Sequence, residues 1–381
     1  MALSPDGVHS VSGSYDRTIK VWDLGSGACV RTLQGHSEDV MSVALSTDGA
    51  HFVTGSWDKS IKVWDLASGT CVRTLEGHTR SVMSVALSTC GKHIVSGSDD
   101  STVKVWDLAS GACVRTLYHT GDVYAVAVSS DGSHIVSGSL DRTVKVWHLA
   151  SGACVRTLEG HAGAVWSLAL SSDGAYIVSG SSDTTIKVWT LHGGTCVRTL
   201  EGHESGIESV AVSSGGAHIV SSDEGATMKI WDLASGACVR TLDGLSVNSV
   251  ALSSDGRRVV SGGYDNPVRV WDLASGACLR EFEGHQGAVW SVATDGIHIV
   301  SGSGDNTIKV WDGKHYRRVP HALIRNRVQS TNATVAADRP LRERQLYNYV
   351  YDGSPGGDAD DDDWPSLLED LFPLVIGFLV G

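Results

Sequence analysis

The stretch GHTRSVMSVALSTCGKHIVSGSDDSTVKVWDLASGACVRTL, residues 77–117, decides the fold, because text close to it recurs along most of the chain. Val82 to Ser88 reads as a buried strand, and Thr89-Cys90-Gly91 as the turn that ends it. His93 to Ser98 reads as a second strand, and Asp99-Asp100-Ser101 turns the chain back. Thr102 to Leu108 alternates, which predicts a third strand with Val103, Val105 and Trp106 on one face and Thr102 and Lys104 on the other. Ala109-Ser110-Gly111 turns again, and Ala112 to Leu117 supplies a fourth strand. Four short antiparallel strands make a sheet with two apolar faces. Each copy must therefore be sandwiched between neighbours, and a closed ring covers every face.

The tryptophan of the third strand counts the copies. Trp22, Trp64, Trp106, Trp147, Trp189, Trp231, Trp271 and Trp311 stand 42, 42, 41, 42, 42, 40 and 40 residues apart. A period of that size marks one supersecondary unit stacked many times. The 381 residues carry 44 Gly against 7 Pro and 12 Trp against 4 Phe, as suits short strands joined by Gly, Ser and Asp turns. The expectation is an all-β propeller of eight four-stranded blades over residues 1–312, followed by an irregular C-terminal tail, basic over 313–344 and acidic over 345–381. Seven blades with a spare unit is the alternative count. Met1 to Ser4 matches only the end of a first strand, so the first blade should be short there, and His315 to Val319 is a candidate to complete the last blade. So abrupt a beginning is what a truncated gene model, or a fragment of a longer repeat array, would show.

The formal net charge of −13 argues against a general nucleic-acid binder, which neutralises phosphates with clustered Lys and Arg. Residues 314–344 hold eight basic residues and two acids, and residues 345–381 eight acids and no base, the pattern of solvated tails. Cys29, Cys71, Cys113, Cys154, Cys196, Cys238 and Cys278 share one repeat position, which suits a small buried or half-buried residue better than a disulfide partner. Cys90 falls in a turn. With no CxxC pair and no visible signal peptide, a reducing compartment is expected, cytoplasmic or nuclear, with the sequon Asn332 to Thr334 silent. The apolar run 371–380 is too short for a membrane span of about twenty residues, so it reads as an amphipathic docking segment or a wrongly predicted last exon, and no membrane contact is expected. His9, His51, His93, His134, His218 and His298 open the second strands, one per copy. Spread around a ring they stand too far apart to share an ion, so no metal or cofactor is expected.

The Gly-His opening, the Ser-Asp-Gly turn, the Ser-Gly-Ser-x-Asp segment and the closing Trp-Asp resemble the WD40 repeat of the β-propeller family over roughly residues 1–312. The wording Leu-Ala-Ser-Gly-Ala-Cys-Val-Arg-Thr-Leu-Glu-Gly-His is also similar to the WD40 arrays of fungal NLR-type (NACHT or NB-ARC) proteins, although no GxxxxGK[ST] loop is present. The resemblance implies that each blade is pinned by a hydrogen-bonded His, Ser or Thr, Asp and Trp. Carried onto this chain, these are His36, Thr54, Asp58 and Trp64; His78, Ser96, Asp100 and Trp106; His119, Ser137, Asp141 and Trp147; and His161, Ser179, Asp183 and Trp189. A recurrent Ser, His and Asp also invites a catalytic-triad reading. A triad is built once, beside an oxyanion hole, so repetition favours structure. The sixth copy has Gly225 at the Asp position, and the seventh lacks the His and keeps Ser261, Asp265 and Trp271. The eighth has its first hairpin shortened at Asp295-Gly296. These blades are expected to be the least rigid, with faster hydrogen exchange over 204–265 than over 80–190.

The resemblance further implies a partner surface on the top rim and central channel, and there the copies differ. Before the second-to-third turn Asp stand Tyr15, Trp57, Asp99, Leu140, Ser182, Tyr264 and Gly304, with Glu224 in the sixth copy. At the head of the first strand stand Met41, Met83, Tyr124, Trp166, Glu208, Asn248 and Trp290. Trp, Tyr and Met are residue types that anchor interfaces. The expected function is a non-catalytic scaffold that binds a protein or peptide on this rim, as a recognition module of an NLR-like system; an enzyme or enzyme subunit using the channel is the alternative. Trp-Asp is followed here by Leu-Ala or Leu-Gly, or at Trp311 by Gly-Lys, not by the x-Arg of ubiquitin-ligase substrate receptors.

Overall fold

β-Branched runs such as Ile61-Lys62-Val63 fall in strands, and turns fall at Asp and Gly, because a pleated half-buried surface favours the first and reversal the second. The computed structural model describes residues 1–225, 227–242 and 247–312. The expectations for 313–344, 345–381 and His315 to Val319 lie outside these residues. The described residues form eight antiparallel sheets, seven of four strands and the last, Val289–Thr294, His298–Ser303 and Ile308–Asp312, of three. The chain is an eight-bladed all-β propeller, which retires the seven-bladed count. The first strand of the first blade is the two-residue Ala2–Leu3, paired with His9–Gly13.

The core lies between blades, and one expectation about it is corrected. Side chains two apart along a strand share a face. Val103 and Val105 therefore face one neighbour and Trp106 the other, not the same side. Val103, Val105 and Leu117 pack with Val123, Val126, Ile135 and Trp147 of the fourth blade, while Trp106 packs with Ile61, Val63 and Leu75 of the second. Trp64, Trp147, Trp231 and, partly buried, Trp311 pack on their preceding blades in the same way. Burying an indole removes about 150–250 Å² from water, an upper bound on the order of 5 kcal/mol each. Gly77, at φ +146°, is needed for that approach, since a Cβ there would lie 3.3 Å from Trp106 Cη2.

Hydrogen bonds add to the seams. Ser84 Oγ accepts the Val126 amide at 3.2 Å, and Arg198 Nη2 donates to Ala234 O of the next blade at 2.6 Å. Six of the seven repeated cysteines are exposed, against expectation, and only Cys278 is buried. The fourth strand is the outer edge of its blade, so most of its side chains meet solvent. Cys71–Leu75 turns only Leu75 inward. The six second-strand histidines are half-buried, one per blade, and no metal-holding group occurs among the described residues.

Candidate functional site

The upper rim is built on the hydrogen-bonded quartets. In the second blade Asp58 Oδ2 accepts from His36 Nδ1 at 2.7 Å and from the Ser37 amide at 3.0 Å, and Oδ1 accepts from the Ser60 amide and hydroxyl at 2.9 and 2.6 Å. A carboxylate only accepts, so Nδ1 carries the imidazole proton. Trp64 Nε1 donates to Thr54 Oγ1 at 2.9 Å, and that hydroxyl donates its own hydrogen to His36 Nε2 at 2.7 Å. Every group is satisfied with the imidazole neutral. The same chain joins His78, Ser96, Asp100 and Trp106, then His119, Ser137, Asp141 and Trp147, then His161, Ser179, Asp183 and Trp189, and in the last blade His285, Ser301, Asp305 and Trp311.

Burial alone would raise these carboxyls. The bonds from histidine and the neighbouring hydroxyl outweigh it and hold Asp58, Asp100, Asp141 and Asp183 well below the usual carboxylate range. Burial lowers His119 and His285, in keeping with neutral rings. The hydroxyls have no room for a substrate, since Ser96, Ser137 and Ser179 are fully buried and each receives an indole N–H.

Two blades depart from the expected pattern in ways that compensate. In the sixth, Asp223 and not residue 225 fills the acid's place, accepting from His203 Nδ1 at 2.7 Å, while Ser221 joins His203 Nε2 and Trp231 Nε1 at 2.7 and 2.8 Å. A carboxylate two positions earlier in the strand reaches the same imidazole, so the expected loosening of this blade loses its cause. In the seventh, where no histidine stands, buried Arg269 supplies the Asp with a countercharge but does not rebuild the quartet's hydrogen bonds. Its Nη1 lies 2.5 Å from Asp265 Oδ2 and its Nη2 3.2 Å from Glu281 Oε1. Elsewhere these two positions hold Lys and Thr, as in Lys187 Nζ to Thr199 Oγ1 at 2.9 Å. Burial pushes the Asp265 carboxyl up to about 6 in spite of Arg269, and pushes the Cys278 thiol up to about 12. The signal for Arg269 and Glu281 was on the page, as two departures in the one copy that lost its histidine. Sequence reasoning missed both.

Each quartet Asp joins two loops, the second-to-third turn and the loop entering the first strand. The turns are strained. Lys59, Ser101, Arg142, Thr184, Asn266 and Asn306 follow the Asp position with φ between +61° and +77°, where non-glycine residues are rare. Main-chain bonds align the loops, from Trp57 N to Asp39 O (3.0 Å), Leu140 N to Asp122 O (2.8 Å) and Glu224 N to Gly206 O (3.0 Å).

The twelve rim residues divide by burial. Tyr15, Leu140 and Tyr264 are exposed; Trp57, Asp99, Tyr124, Trp166, Glu208, Asn248 and Trp290 are partly buried; Met41 and Met83 are buried. Tyr124 packs on Trp166 with ring centroids 4.3 Å apart, and Tyr264 on Trp290 at 5.2 Å, so aromatics of adjacent blades meet in pairs. Asn248 Nδ2 donates to Val289 O at 3.3 Å. Burial and then the neighbouring Asp122 charge push the Asp99 carboxyl up to about 7, and burial raises Asp122 and Asp39 as well. Trp57 Nε1 and Asp99 Oδ1 are enclosed with no hydrogen-bond partner.

Known proteins share this construction. The family model described as WD domain, G-beta repeat matches eight times, at residues 1–23, 27–65, 69–107, 111–148, 152–190, 194–232, 236–272 and 276–312. Among curated proteins, the chain is 48% identical over 44 residues to the mouse (Mus musculus) dynein assembly factor with WD repeat domains 1, covering 12% of this chain and 11% of that one. It is 60% identical over 35 residues to the nuclear distribution protein PAC1 of Cryptococcus neoformans, covering 9% and 8%. The matched stretches thus span about a tenth of these relatives. Among solved structures, the computationally designed Ika8 protein superposes with a TM-score of 0.73 at 35% identity, covering 80% of this chain and 93% of that one.

Proposed function

Because the chain belongs to the WD40 family of WD-domain, G-beta repeats, whose propellers generally bind protein partners, we propose that it is a non-catalytic scaffold that holds a protein or peptide on its upper rim. The observation that carries this reading is the division of labour within one repeat. The quartets are copied from blade to blade and satisfied internally, whereas the residues they hold on the rim vary around the ring. Exposed Tyr15, Leu140 and Tyr264, with Trp57, Trp166 and Trp290 beside or below them, supply amphipathic area of the kind that anchors interfaces.

The resemblance of the copied wording to fungal NLR-type arrays motivates a finer reading, a recognition module of such a system working in a reducing compartment, cytoplasmic or nuclear. The test is affinity capture with the intact protein and with a Trp57→Ala, Trp166→Ala, Trp290→Ala triple variant, checked for retained fold by circular dichroism. Loss of one specific partner from a folded variant supports the rim. Retention of every partner overturns it.

A further inference from the structure

The end of the ring opposite the rim holds an apolar funnel. There the first strands of blades four to seven end, and Val128, Leu170, Val212 and Leu252, one per blade at one repeat position, line a cavity of about 160 Å³. Serines of the following turns ring its mouth, with Ser172 Oγ donating to Ser214 O at 2.6 Å and so spending part of its polarity between blades. Leu170 and Val212 are only partly buried, so part of the apolar wall is accessible. A cavity of about 150 Å³ with such walls accepts a benzene-sized group.

The chain carries a matching group. Val375–Gly381 reads Val-Ile-Gly-Phe-Leu-Val-Gly, an uncharged stretch with one aromatic, Phe378, and most of it belongs to the apolar run 371–380 that reads as a docking segment. It is too short to span a bilayer, which takes about twenty residues. The 62 residues from 313 to 374 lie between the propeller and this run. A linker of 62 residues is long enough for a tethered ligand to reach either end of the ring, at an effective concentration on the order of millimolar. We propose that the lower funnel is the receptor for the chain's own Val375–Gly381 run, with Phe378 as the side chain that enters between Leu170 and Val212. Docking there removes apolar surface of both parties from water and leaves the upper rim open. The proposal is independent of the rim reading, because it concerns the opposite end of the ring.

The test uses the full chain with p-benzoylphenylalanine in place of Phe378. Irradiation should yield monomeric species cross-linked from position 378 to peptides containing residues 168–172 or 210–214. Cross-links confined to dimers, to other surfaces, or absent altogether overturn the proposal, as does transfer of the cross-link to phosphatidylcholine vesicles when these are present. A second measurement reads the funnel itself. Phe378→Asp in the full chain should bind more 1-anilinonaphthalene-8-sulfonate than the unaltered chain, without loss of the propeller's far-ultraviolet spectrum. Equal dye binding by both proteins contradicts it.

Discussion

Arg269 shows at the residue scale how much a single position can carry. It lies between two buried carboxylates, so Arg269→Ala leaves Asp265 and Glu281 without a countercharge and should cost about 3–5 kcal/mol. At the equivalent site in the fifth blade Lys187 reaches only an exposed threonine hydroxyl, so Lys187→Ala should cost less than about 1 kcal/mol. Urea midpoints of the two variants check the contrast. Equal costs would mean that Arg269 does not stand in for the missing histidine.

The titrating residues make a second residue-scale prediction. His119 and His285 have lowered folded values, so their contribution is complete above about pH 6.5 and is lost as pH falls. The quartet carboxyls are depressed too, and their contribution is lost only below about pH 4. Asp99 works the other way. Its folded value of about 7 lies above the unfolded one, so its contribution is present below about pH 4 and lost as pH rises through 7. Asp99→Asn should therefore raise the thermal midpoint at pH 8 and do so much less at pH 4. A pH-independent effect would contradict the buried, repelled state of this carboxyl.

Single blades are the element scale, and there the legible and the illegible parts separate. Strand and turn positions followed from period-two alternation and from Gly, Ser and Asp turns, because the physics that sets them is local. The face of Trp106 was misread although parity decides it: Val103 and Val105 share odd positions, and the tryptophan does not. The six exposed cysteines were misread because their pattern looks apolar, while the fourth strand is an outer edge. Asp223 was invisible because the acid lies two residues after Ser221, whereas Asp58 lies four after Thr54. Only the folded turn shows that both reach an imidazole. One consequence is measurable. Hydrogen exchange over Ile207–Val212 and His218–Asp223 should be as slow as over the matching strands of the fifth blade, Val165–Leu170 and Tyr176–Ser181. Markedly faster exchange in the sixth blade would show that Asp223 does not restore the quartet.

Taken as a whole, the molecule sets a repeated interior against an unrepeated rim. Six of the eight tryptophans that count the blades are buried, 1% exposed at Trp106 and Trp231, with Trp22 and Trp311 partly buried, and they are spent on holding the ring together. The eight-bladed count was readable from their spacing, and the loops of the rim were readable as the places where the copies diverge. Which rim side chains reach solvent was not readable, because it depends on packing across blades: Met41 and Met83 are covered, and Tyr124 and Trp166 stack on one another. The central claim is that partners meet the rim and not the outer wall, where Val72, Val114 and Val239 are equally exposed. Site-specific photo-cross-linking in the native extract tests it most directly, with p-benzoylphenylalanine placed in turn at Tyr15, Leu140 and Tyr264, and at Val72, Val114 and Val239. The account predicts a discrete cross-linked protein from the rim positions and none from the wall; cross-links from the wall positions alone would contradict it.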